Sequence, residues 1–283
     1  MLAAGMISSC VQHRLTQFEN FSNAGIGYSD AILVLTEVAG NEAIDADSII
    51  LIKNRDSVSK TERSARYLKH TEALNSLLSE LSKFREHSGL LKKYFNTLGK
   101  LAISNAPSGI AENTGTLIDG LQSLSPSLKA TTIGTAPVKD FITQPTELTV
   151  SIFKHKSLEK ELKKNAKTIE RELDLQQAFL SALAIDLKND LEVVLNSKNY
   201  NEVAKPYIAD GKLPKNWAEN RREVISAYLM IGSVNNAKIA AQELKEVFVA
   251  LVEKKIEPGD FSVLFEDINA MLDIVELAKK TTI

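Results

Sequence analysis

A single cysteine, Cys10, in 283 residues rules out an internal disulfide and leaves too few thiolates for a metal cage. Proline (7) and glycine (13) are scarce, and four of the prolines, Pro107, Pro126, Pro137 and Pro145, fall between residues 104 and 149. Long stretches free of both residues favour helix. No run of about 18 apolar residues occurs, so a membrane-spanning helix is not expected. The best candidate, Ala31 to Ala39, is too short. Neither sign of charge is in excess, with 34 Lys and Arg against 36 Asp and Glu scattered through the same segments. That balance gives no electrostatic case for nucleic acid or an anionic membrane. The alternation that a sheet requires is also missing, whereas 44% apolar residues supply ample material for a core.

What the chain does have is helical periodicity over unusual lengths. From Lys60 to Ile103, with Tyr67 as position a of a heptad, the a sites are Tyr67, Leu74, Leu81, Ser88, Phe95 and Ala102. The d sites are His70, Leu77, Phe84, Leu91 and Leu98. Steps of three and four also run through Leu158, Leu162, Ala166, Ile169, Leu173, Gln176, Leu180, Leu183, Leu187, Leu191 and Val194. A third segment, residues 216 to 255, carries Ile225, Tyr228, Ile231, Asn235, Ile239, Gln242 and, less regularly, Phe248 and Leu251, with Pro214 and Pro258 bounding it. Val11 to Arg55 reads as helix through Leu15, Phe18, Ser22, Gly25, Tyr28, Ile32, Leu35, Val38, Ile49 and Ile52. There Gly25, Gly27 and Gly40 call for a close crossing or a kink, since each costs about 1 kcal/mol against alanine. A last helix follows Pro258-Gly259-Asp260, with Phe261, Leu264, Phe265, Ile268, Leu272 and Val275 inward.

Residues 104 to 149 differ in texture and read as a connector or cap, with one short amphipathic helix at Ile110 to Leu124 and an extended or loop stretch at Thr131 to Pro137. The expected fold is therefore all-α. Residues 11–283 form one elongated bundle of long amphipathic antiparallel helices with coiled-coil-like packing, interrupted by the Pro/Gly-rich connector.

Side chains able to do chemistry are present without the spacing that chemistry needs. None of His13, His70, His87 and His155 has a Glu-x-x-His or His-x-x-x-His companion. His155 and Glu159 sit one turn apart, as chance pairs do on charged helices, and His70 reads as a hydrogen-bonded seam residue. Ser57 to Lys60 and Ser151 to Lys154 match Ser-x-x-Lys but lack the other elements of serine acyl-enzymes. No nucleotide-binding fingerprint accompanies Gly25 and Gly27. The lysines from Lys154 to Lys167 alternate with Glu159, Glu161, Glu170 and Glu172, which supports a helix and makes a solvated face. No catalytic residue, cofactor or metal is expected.

The chain opens on Leu2-Ala3-Ala4-Gly5-Met6-Ile7-Ser8-Ser9-Cys10. Its last four residues, Ile7-Ser8-Ser9-Cys10, resemble the lipobox of bacterial lipoproteins, in which small residues precede a cysteine that is acylated and becomes the mature N-terminus. The resemblance implies a lipid on Cys10, a signal remnant over residues 1–10, and a mature chain from Val11. The basic n-region and full apolar stretch of such signals do not precede Cys10. The alternative is that Leu2 to Cys10 begins the first helix, with Cys10 a small buried hydrophobe. Beside a bacterial-looking start, the glycosylation pattern Asn20-Phe21-Ser22 carries no weight.

The expectation for function is a non-enzymatic exported scaffold that binds an unknown protein partner. Through Cys10 it would be lipid-anchored in the periplasm or at the outer membrane. The alternative is a membrane-active helical protein resembling long-helix pore-forming toxins, inserting Thr131 to Phe153 or Ala31 to Ala39.

Overall fold

The computed structural model describes residues 3–103, 108–143, 147–151, 156–256 and 260–281, with the side chains of the first fifteen residues and a few later ones outside that set. Seven α-helices make up most of it: α1 (Ala3–Asn54), α2 (Lys60–Ile103), α3 (Ser108–Ala130), α4 (Lys156–Lys198), α5 (Lys205–Ile208), α6 (Trp217–Glu253) and α7 (Asp260–Thr281). At 1.5 Å per residue, α1 is roughly 80 Å long. The only strands among the described residues are β1 (Thr132–Ile133) and β2 (Ala136–Pro137), an antiparallel pair.

Local chemistry sets the helix ends. At the start of α2, Glu62 N–H donates to Ser59 Oγ (3.3 Å) and Ser59 N–H to Glu62 Oε2 (2.9 Å), a reciprocal capping box. α6 ends with Lys254 in the left-handed region (φ 60°) while Lys255 N–H donates to Ala250 O at 2.7 Å. That geometry satisfies the last carbonyls and turns the chain.

Cross-helix contacts give the directions. α2 descends beside α1, since Ser22 pairs with Phe95 near one end and Asp47 with His70 near the other. α4 runs antiparallel to α2 and to α6: Phe84 stacks on Phe179 and His87 bonds Glu172, while Asp174 meets Lys245 and Lys198 meets Glu223. It runs parallel to α3, because Thr114 reaches Glu161 and Ser125 reaches Glu172.

Two successive parallel helices force the chain to return along the bundle between them. Residues 131–143 and 147–151 belong to that return, which we call the strap. Gly134 lies against Asp186, Thr143 against Asp174, and Ser151 N–H donates to Val252 O at 3.1 Å. From the level of Asp186 to that of Asp174 is about 18 Å along α4. Gly134 turns the β1–β2 hairpin at φ 56°, where a Cβ would meet Asp186, so glycine is required there. The connector of residues 104–149 thus divides into helix α3, longer than the expected Ile110 to Leu124, and a lengthwise strap.

α4 is the centre of the molecule. Every residue expected on its inward stripe whose side chain is described is buried, and so are Leu175, Ala178, Phe179, Ala182 and Ala184 outside the stripe. In α2 the expected a and d residues are buried from Leu81 to Ala102, but Tyr67 is 60% exposed. Tyr67 lies ahead of the stretch, from Ala73 onward, in which α2 also faces the β hairpin and α4, and a pair of helices cannot enclose every position of a stripe. Ile52 near the end of α1 is exposed for the same reason.

The expected seam of α6 holds at Phe248 and Leu251, which are buried, and is displaced before them. Ile225, Tyr228, Asn235, Ile239 and Gln242 face solvent, and Val224, Ala227, Met230, Val234, Ala237, Ala241 and Leu244 are buried in their place. α6 touches α1, α4 and α7 together, and alanines on the inner face let three helices approach where isoleucines would hold them apart.

Candidate functional site

Polar side chains enter the core in two layers that share a plan. In the first, Thr114 Oγ1 donates to Glu161 Oε2 (2.9 Å), and Asn165 Nδ2, one turn further along α4, donates to Glu161 Oε1 (2.8 Å). Eleven residues later on both parallel helices, Ser125 donates to Glu172 and Gln176 occupies the amide position. Eleven residues are close to three helical turns, so both layers project from the same faces. From α2, Tyr94 faces the first layer and His87 the second. Burial, and secondarily the Glu161 carboxylate, hold the Tyr94 phenol well above its usual range.

The second layer ties four helices together. Tyr28 of α1 and Ser88 of α2 both donate to Gln176 Oε1 at 3.2 Å. With its oxygen so occupied, the amide nitrogen donates to His87 Nδ1 (2.6 Å), and His87 Nε2 donates to Glu172 Oε2 (2.8 Å). The geometry assigns His87 the Nε2–H tautomer. His87 and Gln176 are fully buried and Glu172 nearly so, which seals the layer from any substrate. Burial also raises the Tyr28 phenol far above its ordinary range. Such a layer fixes the register of four helices, because any axial slip strands several buried polar groups at about 1–3 kcal/mol each.

A different environment occupies the end of the bundle where α1 finishes, α2 begins and α4 gives way to α6. Ten of the fourteen large apolar side chains exposed among the described residues lie there: Ile44, Ile52, Tyr67, Leu68, Tyr200, Tyr207, Ile208, Leu213, Ile225 and Tyr228. We call this end the open pole. Here α4 loosens into a π-helical turn, Asn199–Ala204, whose Val203 carbonyl accepts from Trp217 Nε1 at 2.9 Å. The Trp217 ring stacks on Tyr207 (centroids 5.5 Å apart) and lies 5.8 Å from the Arg221 guanidinium.

Two cavities flank the pole. One of about 340 Å³ lies between α1, α4 and α6 beside Glu42, Asp45, Lys198 and Arg222, and burial raises the Glu42 and Asp45 carboxyls. The other, about 280 Å³, lies between α1, α2 and the β hairpin. A third, about 580 Å³, sits beneath the strap between α4 and α6. At the α6–α7 contact, burial and then the neighbouring Asp267 raise Glu243 to about 7.

The residues singled out from sequence are dispersed. Ile7 to Cys10 lie inside helix α1, and the Cys10 and His13 side chains are outside the described set, as are His155 and Lys154. His70 is a half-buried seam histidine bonded to Asp47 Oδ1 at 2.5 Å. Ser57 donates to Asn54 O (2.8 Å) and Ser151 to Glu253 O (3.1 Å), so both hydroxyls serve chain turns. Lys163 pairs with Glu159 on the α4 surface. Sequence reasoning missed the polar layers, although the spacing Glu161-x-x-x-Asn165 and Glu172-x-x-x-Gln176 at eleven residues was a usable signal. Among the described residues, no group of three or more His, Cys, Asp or Glu is placed to hold a metal ion, and no helix is long and apolar enough to cross a membrane. No protein-family model, curated protein or solved structure matches this chain.

Proposed function

We propose that this chain is a non-enzymatic helical scaffold that docks a protein partner on its open pole and is tethered in the bacterial cell envelope by a lipid on Cys10. The observation carrying this reading is the concentration of exposed apolar side chains at that one end. Exposed apolar side chains gathered at one end of a molecule favour that end as an interaction site. Cys10 and the open pole lie at opposite ends of α1, about 65 Å apart. A lipid at one end therefore holds the docking surface well clear of the bilayer. The sealed state of His87, Glu161 and Glu172, each bonded to neighbours, supports a structural rather than a catalytic use of the titratable core groups.

Two experiments test the two parts. Incorporation of labelled fatty acid by the full-length gene, abolished by Cys10→Ala, is expected for the tether; equal labelling of both proteins removes it. Photo-crosslinkers placed at Tyr67 and Tyr207 are expected to trap one common adduct in cells, and a crosslinker at the exposed Lys93 of α2, away from the pole, is expected to trap none. Adducts from all three positions alike contradict docking at the pole. Release of dye from liposomes by the purified chain would favour the membrane-active reading instead.

A further inference from the structure

We infer that two copies of this chain associate through the outward face of α6, the two helices antiparallel about a two-fold axis at the level of Ser233 and Val234. α6 carries two apolar stripes. One faces the bundle through Val224, Met230, Val234, Ala241 and Leu244. On the opposite side stand Ile225, Tyr228 and Ile239, each nearly half exposed, with Asn235 and Gln242 also facing solvent. Their steps of three and four residues place Ile225 and Ile239 at position a of a heptad and Tyr228, Asn235 and Gln242 at position d. Among the described residues no helix covers them.

The order of side chains along the outer stripe names its occupant. In an antiparallel pair each a residue meets a d residue of the other helix, because only then do the alternating steps fall level. Setting Ile239 against Tyr228 of the second copy fixes every other layer. Ile225 meets Gln242, Gly232 meets Asn235, and Arg221 meets Glu246, with the two-fold axis repeating each pair. A Cβ added at Gly232 would touch nothing in its own chain, so the glycine leaves outward room for the Asn235 amide of the second copy. Asn235 Nδ2 donates to Ile231 O at 3.1 Å, which leaves its amide oxygen to accept across the axis. The two Asn235 side chains stand about 4.5 Å apart along that axis, and a core asparagine of this kind selects one register of a two-stranded seam.

Charge agrees with this pairing. Arg221 is exposed at the start of the stripe, over the Trp217 ring, and Glu246 is exposed at its end, held in its own chain by the neutral Gln242 amide. Their charged neighbours are answered within the chain, Glu223 by Lys198 and Lys245 by Asp174. The antiparallel pair therefore joins opposite charges at both ends of the contact. A parallel pair would set arginine against arginine and glutamate against glutamate, and a slip of one heptad would set Arg221 against Ile239. The stripe leaves the open pole after Tyr228, so this contact does not rest on the docking of another protein there.

The test is sedimentation of the full chain over a concentration series from about 1 to about 500 µM. The expected result is a reversible monomer–dimer equilibrium. Ile239→Lys, a change at a solvent-facing position, is expected to keep the wild-type helical circular dichroism and to sediment as a monomer throughout. Arg221→Glu is expected to weaken the dimer at least about tenfold, and Arg221→Glu/Glu246→Arg to restore it, because the exchange re-forms both end pairs only in the antiparallel arrangement. A monomer at every concentration, a dimer that survives Ile239→Lys, or a double variant no tighter than Arg221→Glu alone would each overturn the assignment.

Discussion

The two halves of α2 carry one heptad pattern and meet different fates. From Leu81 to Ala102 the helix is enclosed by α1, α3 and α4, and its seam includes fully buried Phe84, Leu91, Phe95 and Leu98. From Lys60 to Glu80 no residue is buried, and Tyr67 and Leu68 point to water. A repeating stripe specifies which face of a helix is apolar, and the number of neighbouring helices decides whether that face is covered. The waist is closed by packing and locked by the polar layers, while the pole keeps apolar surface available.

Breaking the waist is expected to give the largest effects. His87→Ala leaves buried Glu172 and Gln176 each short of one partner and vacates core volume, and is expected to cost about 2–4 kcal/mol in chemical denaturation. A cost below about 1 kcal/mol would show the layer to be dispensable. Next comes the α1–α2 crossing, where a Cβ on Gly25 would fall 2.5 to 2.9 Å from the Phe95 ring. Gly25→Ala is expected to destabilise by about 1–3 kcal/mol, against a gain for the same change in an unobstructed helix.

The α6–α7 contact brings a pH dependence. Glu243, raised to about 7, binds its proton more tightly folded than unfolded. Its contribution is thus full below the ordinary carboxylate range and lost as pH rises through about 7. The thermal midpoint is expected to fall between about pH 5 and pH 8, and Glu243→Gln to flatten that fall. At the pole, Tyr67→Ser and Leu68→Ser are expected to change stability by less than about 0.5 kcal/mol while weakening any crosslinked partner. A larger loss of stability would mean that these side chains are covered in the folded chain.

Much of this architecture was legible in the sequence. The all-α class, the stripes of α4 and of α2 after Leu81, and the last helix all follow from apolar side chains recurring every three to four residues. The register of α6 did not follow. A search for large apolar residues selects Ile225, Tyr228 and Ile239, whereas close approach of three helices selects the alanines at 227, 237 and 241. The strap escaped for another reason, since only the parallel pairing of α3 with α4 requires a lengthwise return. Of the candidate sites, His70 was correctly read as a bonded seam residue. His87 was not singled out, because its partners lie 85 and 89 residues away in sequence.

The contrast between closed waist and open pole is tested most directly by hydrogen exchange of the free full chain, read segment by segment. Slow, global-unfolding exchange is expected for residues 84–98 and 169–183, and exchange several orders of magnitude faster for residues 60–77. Equal protection along the whole of α2 would contradict it.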